Sequence, residues 1–234
     1  MPVEAEALSA GIARLSKLSS SNPSIEDLLG EVIGAVHGLF RLTGAGFMMI
    51  DDRNALRSVA SSDHAGELLE TSQRDSGEGP CIDAFVHDVT TFTTDLGSDE
   101  RYTRVGPWLS ERGVRAVLGV PIRLGGGPVG SLNVYVDQPH EWLPEEIEGL
   151  ETYGQLLSGF LSTALAAHQR GEVVDQLQYA LNYRIVIERA VGFLMGRHRI
   201  GEVDAFNQLR RAARDRQRRV ADVAREVVQQ DLAL

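Results

Sequence analysis

The chain has 234 residues but only one cysteine, Cys81, and one lysine, Lys17. A single thiol excludes an internal disulfide and any zinc site built from cysteines alone. Aromatic residues make up only 6% of the chain. Its core must therefore come from Val, Leu, Ile and Ala. No apolar run approaches the roughly 18 residues that span a bilayer. The opening Met1-Pro2-Val3-Glu4-Ala5-Glu6 has neither the basic nor the apolar region of a secretory signal. These absences set the expectation of a cytoplasmic protein without a membrane partner.

Enzyme signatures are missing too. The sequence contains no P-loop, no G-x-S-x-G elbow and no H-E-x-x-H pair. Gly125-Gly126-Gly127 precedes an alternating segment rather than a helix, so it fits a hairpin turn and not a phosphate cradle. The six histidines are scattered and pair with no cysteine at ligand spacing. No metal site and no catalytic residue are expected. Cys81 lies in Gly77-Glu78-Gly79-Pro80-Cys81, where it suits a small apolar position facing a core or pocket.

What is present is patterned. Ser24 and Asp27 resemble a helix-opening capping pair, and Ile25, Leu28, Leu29, Val32, Ile33 and Val36 follow at helical spacing. Residues 3–18 also suit a helix, so 1–22 is taken as an N-terminal helical segment. Ala45–Asp51 and Leu56–Ser61 suit strands around a turn at 51–54. Arg115–Leu124 and Val129–Asp137 alternate on either side of the glycine run, which predicts an antiparallel hairpin. Between these pairs, Ser62–Gly113 suits a loop-rich stretch with one weak strand at Thr91–Thr94. Leu143-Pro144-Glu145-Glu146 opens a helix. From there to about Arg199 the chain suits an almost unbroken helix, expected as a coiled coil in a homodimer, or else as two helices broken near Gly171. Two further helices follow, one with Phe206, Leu209 and Ala213 on a face and one with Val220, Val223, Ala224, Val227 and Val228. The domain boundary is placed at 168, giving units 23–168 and 169–234.

The net charge of −10 disfavours a polyanion partner for the chain as a whole. It hides an asymmetry. Residues 169–234 carry 12 Arg against 9 acidic residues, a net of +3, whereas the rest carries −13. Six arginines cluster at Arg210, Arg211, Arg214, Arg216, Arg218 and Arg219. A guanidinium is permanently charged, forks onto phosphate and stacks on unpaired bases. The same cluster also suits a solvated helix face.

Leu177–Val228 resembles the ANTAR domain, an RNA-binding module of bacterial antiterminators. The likeness rests on Ala180-Leu181-x-x-Arg184-x-x-Ile187-x-x-Ala190-x-Gly192-x-Leu194-Met195, on Ala205-Phe206-x-x-Leu209-Arg210-x-x-Ala213, and on Val223-Ala224. It implies a three-helix unit on a coiled coil that binds tandem RNA stem-loops and prevents a terminator from forming. Carried over by position, the RNA-binding candidates are Arg184, Arg210, Arg214, Gln217 and Arg219, and Arg218 of the arginine cluster is taken with them. One position departs from the family: Val191 stands where Lys is common, so a phosphate contact from there is lost.

Residues 25–167 resemble a GAF domain in element order and in Arg115-Ala116-Val117-Leu118-Gly119-Val120-Pro121 and Gly130-Ser131-Leu132-Asn133-Val134-Tyr135. The resemblance implies an α+β fold, a six-stranded antiparallel sheet flanked by helices, which often binds a small molecule over the sheet. Phe47, Cys81, Phe85, Trp108 and Tyr135 are the candidates to line such a pocket, and core packing explains them equally well. The cyclic-nucleotide signature is missing, and one cysteine is too few for a GAF methionine sulfoxide reductase. The ligand or cofactor therefore stays unidentified. The resulting expectation is a transcription antitermination regulator, not an enzyme, in which a sensor passes its state along the long helix to an RNA-binding unit. The alternative is a DNA-binding regulator whose last two helices form a helix-turn-helix.

Overall fold

The computed structural model describes residues 25–40, 42–50, 56–125, 127–166, 172–216, 218 and 220–229. The expected helix at 1–22, the capping residue Ser24 and the turn at 51–54 lie outside the described residues. The main division of the chain falls between Val174 and Asp175.

Among the described residues the N-terminal unit is built on a five-stranded sheet, one strand fewer than the resemblance implies. The elements run α1 (Ile25–Phe40), β1 (Gly44–Ile50), β2 (Leu56–Ser61), α2 (His64–Ser76), α3 (Pro80–His87), β3 (Thr91–Thr93), a 3-10 turn at Glu100–Tyr102, α4 (Gly106–Ser110), β4 (Ala116–Leu124), β5 (Gly127–Val136) and α5 (Pro144–Ala166). The strand order is β2-β1-β5-β4-β3, and β1–β5, β5–β4 and β4–β3 pair antiparallel. The predicted hairpin is the β4–β5 pair, with Gly125 at φ +60° in its turn. Positive φ costs glycine little, which is why the run sits there.

Side chains alternate between the two faces of the sheet, and directly paired residues share a face. One face carries Phe47, Leu132, Val134, Leu118, Val120 and Ile122. Helix α5 lies against it, since a Cβ on Gly154 would meet Val120 and Ile122 at 3.1 and 3.3 Å. Helix α1 packs on α5, and its Leu29, Val32, Ile33 and Val36 are buried, as their spacing requires. The opposite face carries Tyr135, Asn133, Ser131, Gly46, Val117 and Gly119. Helices α2 and α3 close over this face. A Cβ on Gly119 would meet Ala84 and the Cys81 backbone, both in α3.

The stretch 62–113 is the main departure from the sequence expectation of loops, because it contains three helices. Helix α2 is capped at both ends. Asp63 Oδ1 accepts from the Gly66 N–H at 2.8 Å, and Gly77, at φ +71°, donates its N–H to Gln73 O. Both are standard capping devices. Its buried stripe, however, is Gly66, Leu69, Glu70 and Gln73. Two polar residues on the buried side hide the apolar periodicity. Helix α3 opens with Pro80 at its first turn after Gly79. Cys81 is therefore helical rather than part of the turn.

The C-terminal unit has helices α6 (Glu172–His198), α7 (Glu202–Asp215) and α8 (Val220–Gln229). Its core gathers Ala190, Val191, Leu194, Ala205, Leu209, Ala212, Ala213, Val223, Ala224 and Val227. Residues 167–171, between α5 and α6, lie outside the described residues, so the expected break near Gly171 does too. Among the described residues no helix is long and apolar enough to cross a membrane.

Candidate functional site

Two places carry the sequence candidates: the face of the sheet covered by α2 and α3, and the arginine-bearing helices of the C-terminal unit.

On the covered face, Cys81 is fully buried. Its N–H donates to Gln73 Oε1 at 2.9 Å, and Gln73 Nε2 lies 3.1 Å from its Sγ. Burial pushes the thiol far above its ordinary range, and the neighbouring Glu70 adds to this. A thiol held this way is a packing group rather than a nucleophile or redox sensor. Tyr135 donates its hydroxyl to both oxygens of Asp63, at 2.7 and 2.8 Å. It thereby ties β5 to the residue that caps α2, and burial raises its pKa.

Next to them is a buried polar group that sequence reasoning did not select. Glu70 is 1% exposed, and the side chains that approach its carboxyl closely enough to hydrogen-bond are Ser58 and Asn133, both uncharged. Ser131 Oγ, also buried, has no hydrogen-bond partner. Burial pushes the Glu70 carboxyl up to about 8, while neighbouring Ser58 and Asn133 pull the other way. Among the described residues no group of His, Cys, Asp or Glu is arranged to hold a metal.

The five pocket candidates do not meet. Cys81 and Tyr135 belong to the face covered by α2 and α3, whereas Phe47 pairs with Leu132 on the opposite face, which α5 covers. Phe85 is half-buried on α3. Trp108 is 41% exposed on α4, under the Arg112 guanidinium at 3.9 Å. It lines an open groove of about 410 Å³ together with Leu68, Thr71, Arg104 and Val105. The alternation of β1 places Phe47 away from the others. Only the strand register reveals this.

In the C-terminal unit the arginines fall into distinct environments. Arg218 forks onto Glu226, with Nη1–Oε2 at 2.8 Å and Nη2–Oε1 at 2.6 Å. This pairing holds the Glu226 carboxyl below its ordinary range. The Arg218 N–H also donates to Ala213 O, so the residue ties the α7–α8 turn to α8. Arg216 donates to Ala212 O at the end of α7. Arg210 is half-buried, its guanidinium 6.0 Å from the Phe206 ring. Arg211 is exposed; like Arg216, it belongs to the cluster but not to the RNA-binding candidates. Its neighbours Leu209, Ala212 and Ala213 face the core, which turns residue 211 outward. The side chains of Arg184 and Arg214, and residues Gln217 and Arg219, lie outside the described residues. Val191 is 7% exposed within the core. Where the family commonly has a lysine, this chain has a packing residue.

Comparison with known proteins agrees with this division. The GAF domain family model matches residues 22–162, more than half of the chain, and the ANTAR domain model matches 175–228. No curated protein matches the chain. Among solved structures, the GAF domain of a phosphoenolpyruvate-protein phosphotransferase from Coxiella burnetii is similar at 19% identity and a TM-score of 0.57, covering 70% of this chain and 98% of its own. The corresponding GAF domain from Acinetobacter is 20% identical with a TM-score of 0.53, covering 68% and 96%. A free methionine-R-sulfoxide reductase from Neisseria meningitidis is 13% identical with a TM-score of 0.56, covering 70% and 95%. At these identities the likeness concerns the fold. The chain belongs to the GAF domain family and carries an ANTAR domain after its GAF domain.

Proposed function

We propose that this protein is a cytoplasmic transcription antitermination regulator whose ANTAR unit binds RNA hairpin loops and whose GAF unit senses a small-molecule signal. The observation that carries the reading is the ANTAR match over 175–228, on a unit with an exposed arginine beside a compact helical core. RNA loops offer phosphates and unstacked bases, and guanidinium groups engage both. Arg184, Arg210, Arg214, Gln217 and Arg219 remain the contacts proposed from the family pattern. Arg211 joins them. Arg218 is assigned to the fold, because its fork is occupied by Glu226. The protein acts by binding rather than by catalysis. It works as a homodimer joined along a coiled coil formed by its long helices, through which the sensory state reaches the RNA-binding unit.

A competition gel shift tests the reading. The full chain is mixed with a labelled tandem-hairpin RNA and challenged with duplex DNA. Preference for the hairpin RNA is expected, and the Arg210→Ala/Arg214→Ala double variant should weaken binding at least tenfold. Preference for duplex DNA would instead favour a groove-reading regulator. Unchanged RNA affinity in the double variant would remove the assignment of these two residues.

A further inference from the structure

The C-terminal turns of α6 carry a face that the RNA contacts assigned so far do not include. Arg189, Gly192, Phe193, Gly196 and Arg197 recur at the i, i+3, i+4, i+7, i+8 spacing that gathers residues on one side of a helix. Ala190, Val191 and Leu194 interleave with them in sequence and turn into the core. On the outer face Arg189, Gly192, Gly196 and Arg197 are exposed, and Phe193 is half-buried against the core. From Arg189 to Arg197 the face runs about 12 Å along the helix.

Three features set it apart from an ordinary solvated helix surface. A Cβ added at Gly192 or at Gly196 would meet nothing within 4 Å. Neither glycine makes room for a neighbour within the chain, and each costs helix stability relative to alanine. What such glycines do provide is bare backbone, which something outside the chain can approach closely. Beside them the Phe193 ring lies under the Arg197 guanidinium, 5.9 Å from its centroid. Arg199, which ends the helix, is held at φ +55° with its N–H on Met195 O at 2.9 Å. That conformation is the one glycine usually takes at a helix end, and a side chain strains it. The negative end of the helix dipole favours cations at 197 and 199. It accounts neither for Arg189, more than two turns earlier, nor for an arginine in a glycine conformation. Among the described residues none of these three arginines holds an acidic partner. The exposed Glu202 and Asp204 stand in the first turn of α7, where a helix start favours them.

We infer that this face of α6 is a second RNA-contact surface. The bare strip at Gly192 and Gly196 receives the sugar–phosphate chain of an unpaired loop, Arg189 and Arg199 bind its phosphates, and Phe193 with Arg197 stacks a base. The inference rests on the RNA-binding reading and deepens it. A single strand offers what this face lacks: negative charge for the guanidinium groups and a flat face for the ring. A second copy packed symmetrically on the glycines would bring the same arginines against one another, and like charges repel.

Fluorescence anisotropy of a labelled tandem-hairpin RNA, titrated with the full chain from 50 to 300 mM potassium chloride, tests the assignment. Gly192→Ala/Gly196→Ala should raise the melting temperature, because alanine suits a helix better, and yet weaken RNA binding at least about fivefold. Arg199→Gly should also raise the melting temperature while weakening binding, and should lower the salt slope by about 0.7. Phe193→Leu keeps an apolar side chain on the core. It should weaken binding at least about fivefold, the lower range for a lost base stack, and leave the slope alone. Stability and affinity moving in opposite directions is the result that a merely structural role does not give.

Unchanged RNA affinity in the double glycine variant, in Arg199→Gly or in Phe193→Leu would overturn the inference, and would leave the RNA reading in place if the wild-type chain binds. Loss of self-association in the double glycine variant with RNA affinity unchanged, read by sedimentation, would make the face a contact between copies and overturn it as well. A wild-type chain that binds no hairpin RNA would remove the RNA reading and this inference together.

Discussion

Glu70 is the residue at which composition and environment conflict most. Its carboxyl is raised from about 4.5 to about 8 by burial. A group whose folded pKa is raised binds its proton more tightly in the native state. Its contribution to stability is therefore fully present below the unfolded value and is lost as pH rises through the folded one. Unfolding free energy should fall between about pH 4.5 and pH 8 in the wild type. Glu70→Gln should flatten that slope and be the more stable protein at pH 8, as urea titrations across the range will measure. Asp99 acts in the opposite direction. Hydrogen bonding to Arg101 lowers it to about 2, so its contribution is lost only as acid approaches that value. Cys81 offers a second check at this scale. A fully buried thiol should resist a colorimetric thiol reagent in the native protein and react once in 6 M guanidinium. Cys81 was legible in the sequence as a packing residue. Glu70 was not, because a glutamate in a Glu-Leu-Leu-Glu run has no sequence mark that separates a buried carboxyl from a solvated one.

Elements differ in how far local pattern fixes them. The β4–β5 hairpin, α1 and α5 were legible because apolar residues recur at one clear period and the turn or cap residues stand in place. Helices α2, α3 and α4 were not. Helix α2 buries Glu70 and Gln73, which breaks its apolar stripe, and α4 has only five residues, so neighbouring elements hold it. In the sheet, close approach of backbones sets the tolerance to change. A Cβ on Gly130 would lie 2.1 Å from Met48 O, a backbone atom of the paired strand. Gly130→Ala must therefore separate β1 from β5 and should cost about 3 kcal/mol, the upper range of overpacking. Gly159, in α5, has nothing within 4 Å of an added Cβ. Gly159→Ala should instead stabilise the protein by roughly 0.5–1 kcal/mol, since alanine loses less backbone entropy in a helix. Thermal unfolding of the two variants against wild type will show whether the signs are opposite.

At the scale of the whole molecule, charge is the variable that separates the two units. The chain carries −10 overall, yet residues 169–234 carry +3, so any polyanion affinity must come from local contacts rather than from net attraction. Such contacts are counted by salt. For single-stranded nucleic acid, the logarithm of affinity falls with the logarithm of salt concentration by about 0.7 for each phosphate neutralised. The proposed RNA binding then allows the arginines to be sorted by role. Arg211 is exposed, so Arg211→Gln should reduce the slope by about 0.7 and leave stability nearly unchanged. Arg218 is held by Glu226, and a solvent-screened surface pair of this kind contributes little to stability. Arg218→Gln should lower thermal stability slightly and leave the slope alone. If instead Arg218→Gln lowers the slope and Arg211→Gln does not, RNA phosphate displaces Glu226 from the fork, and the exposed arginine is only a solvated one. Filter binding of one tandem-hairpin RNA from 50 to 300 mM potassium chloride, with all three proteins measured side by side, decides between these assignments.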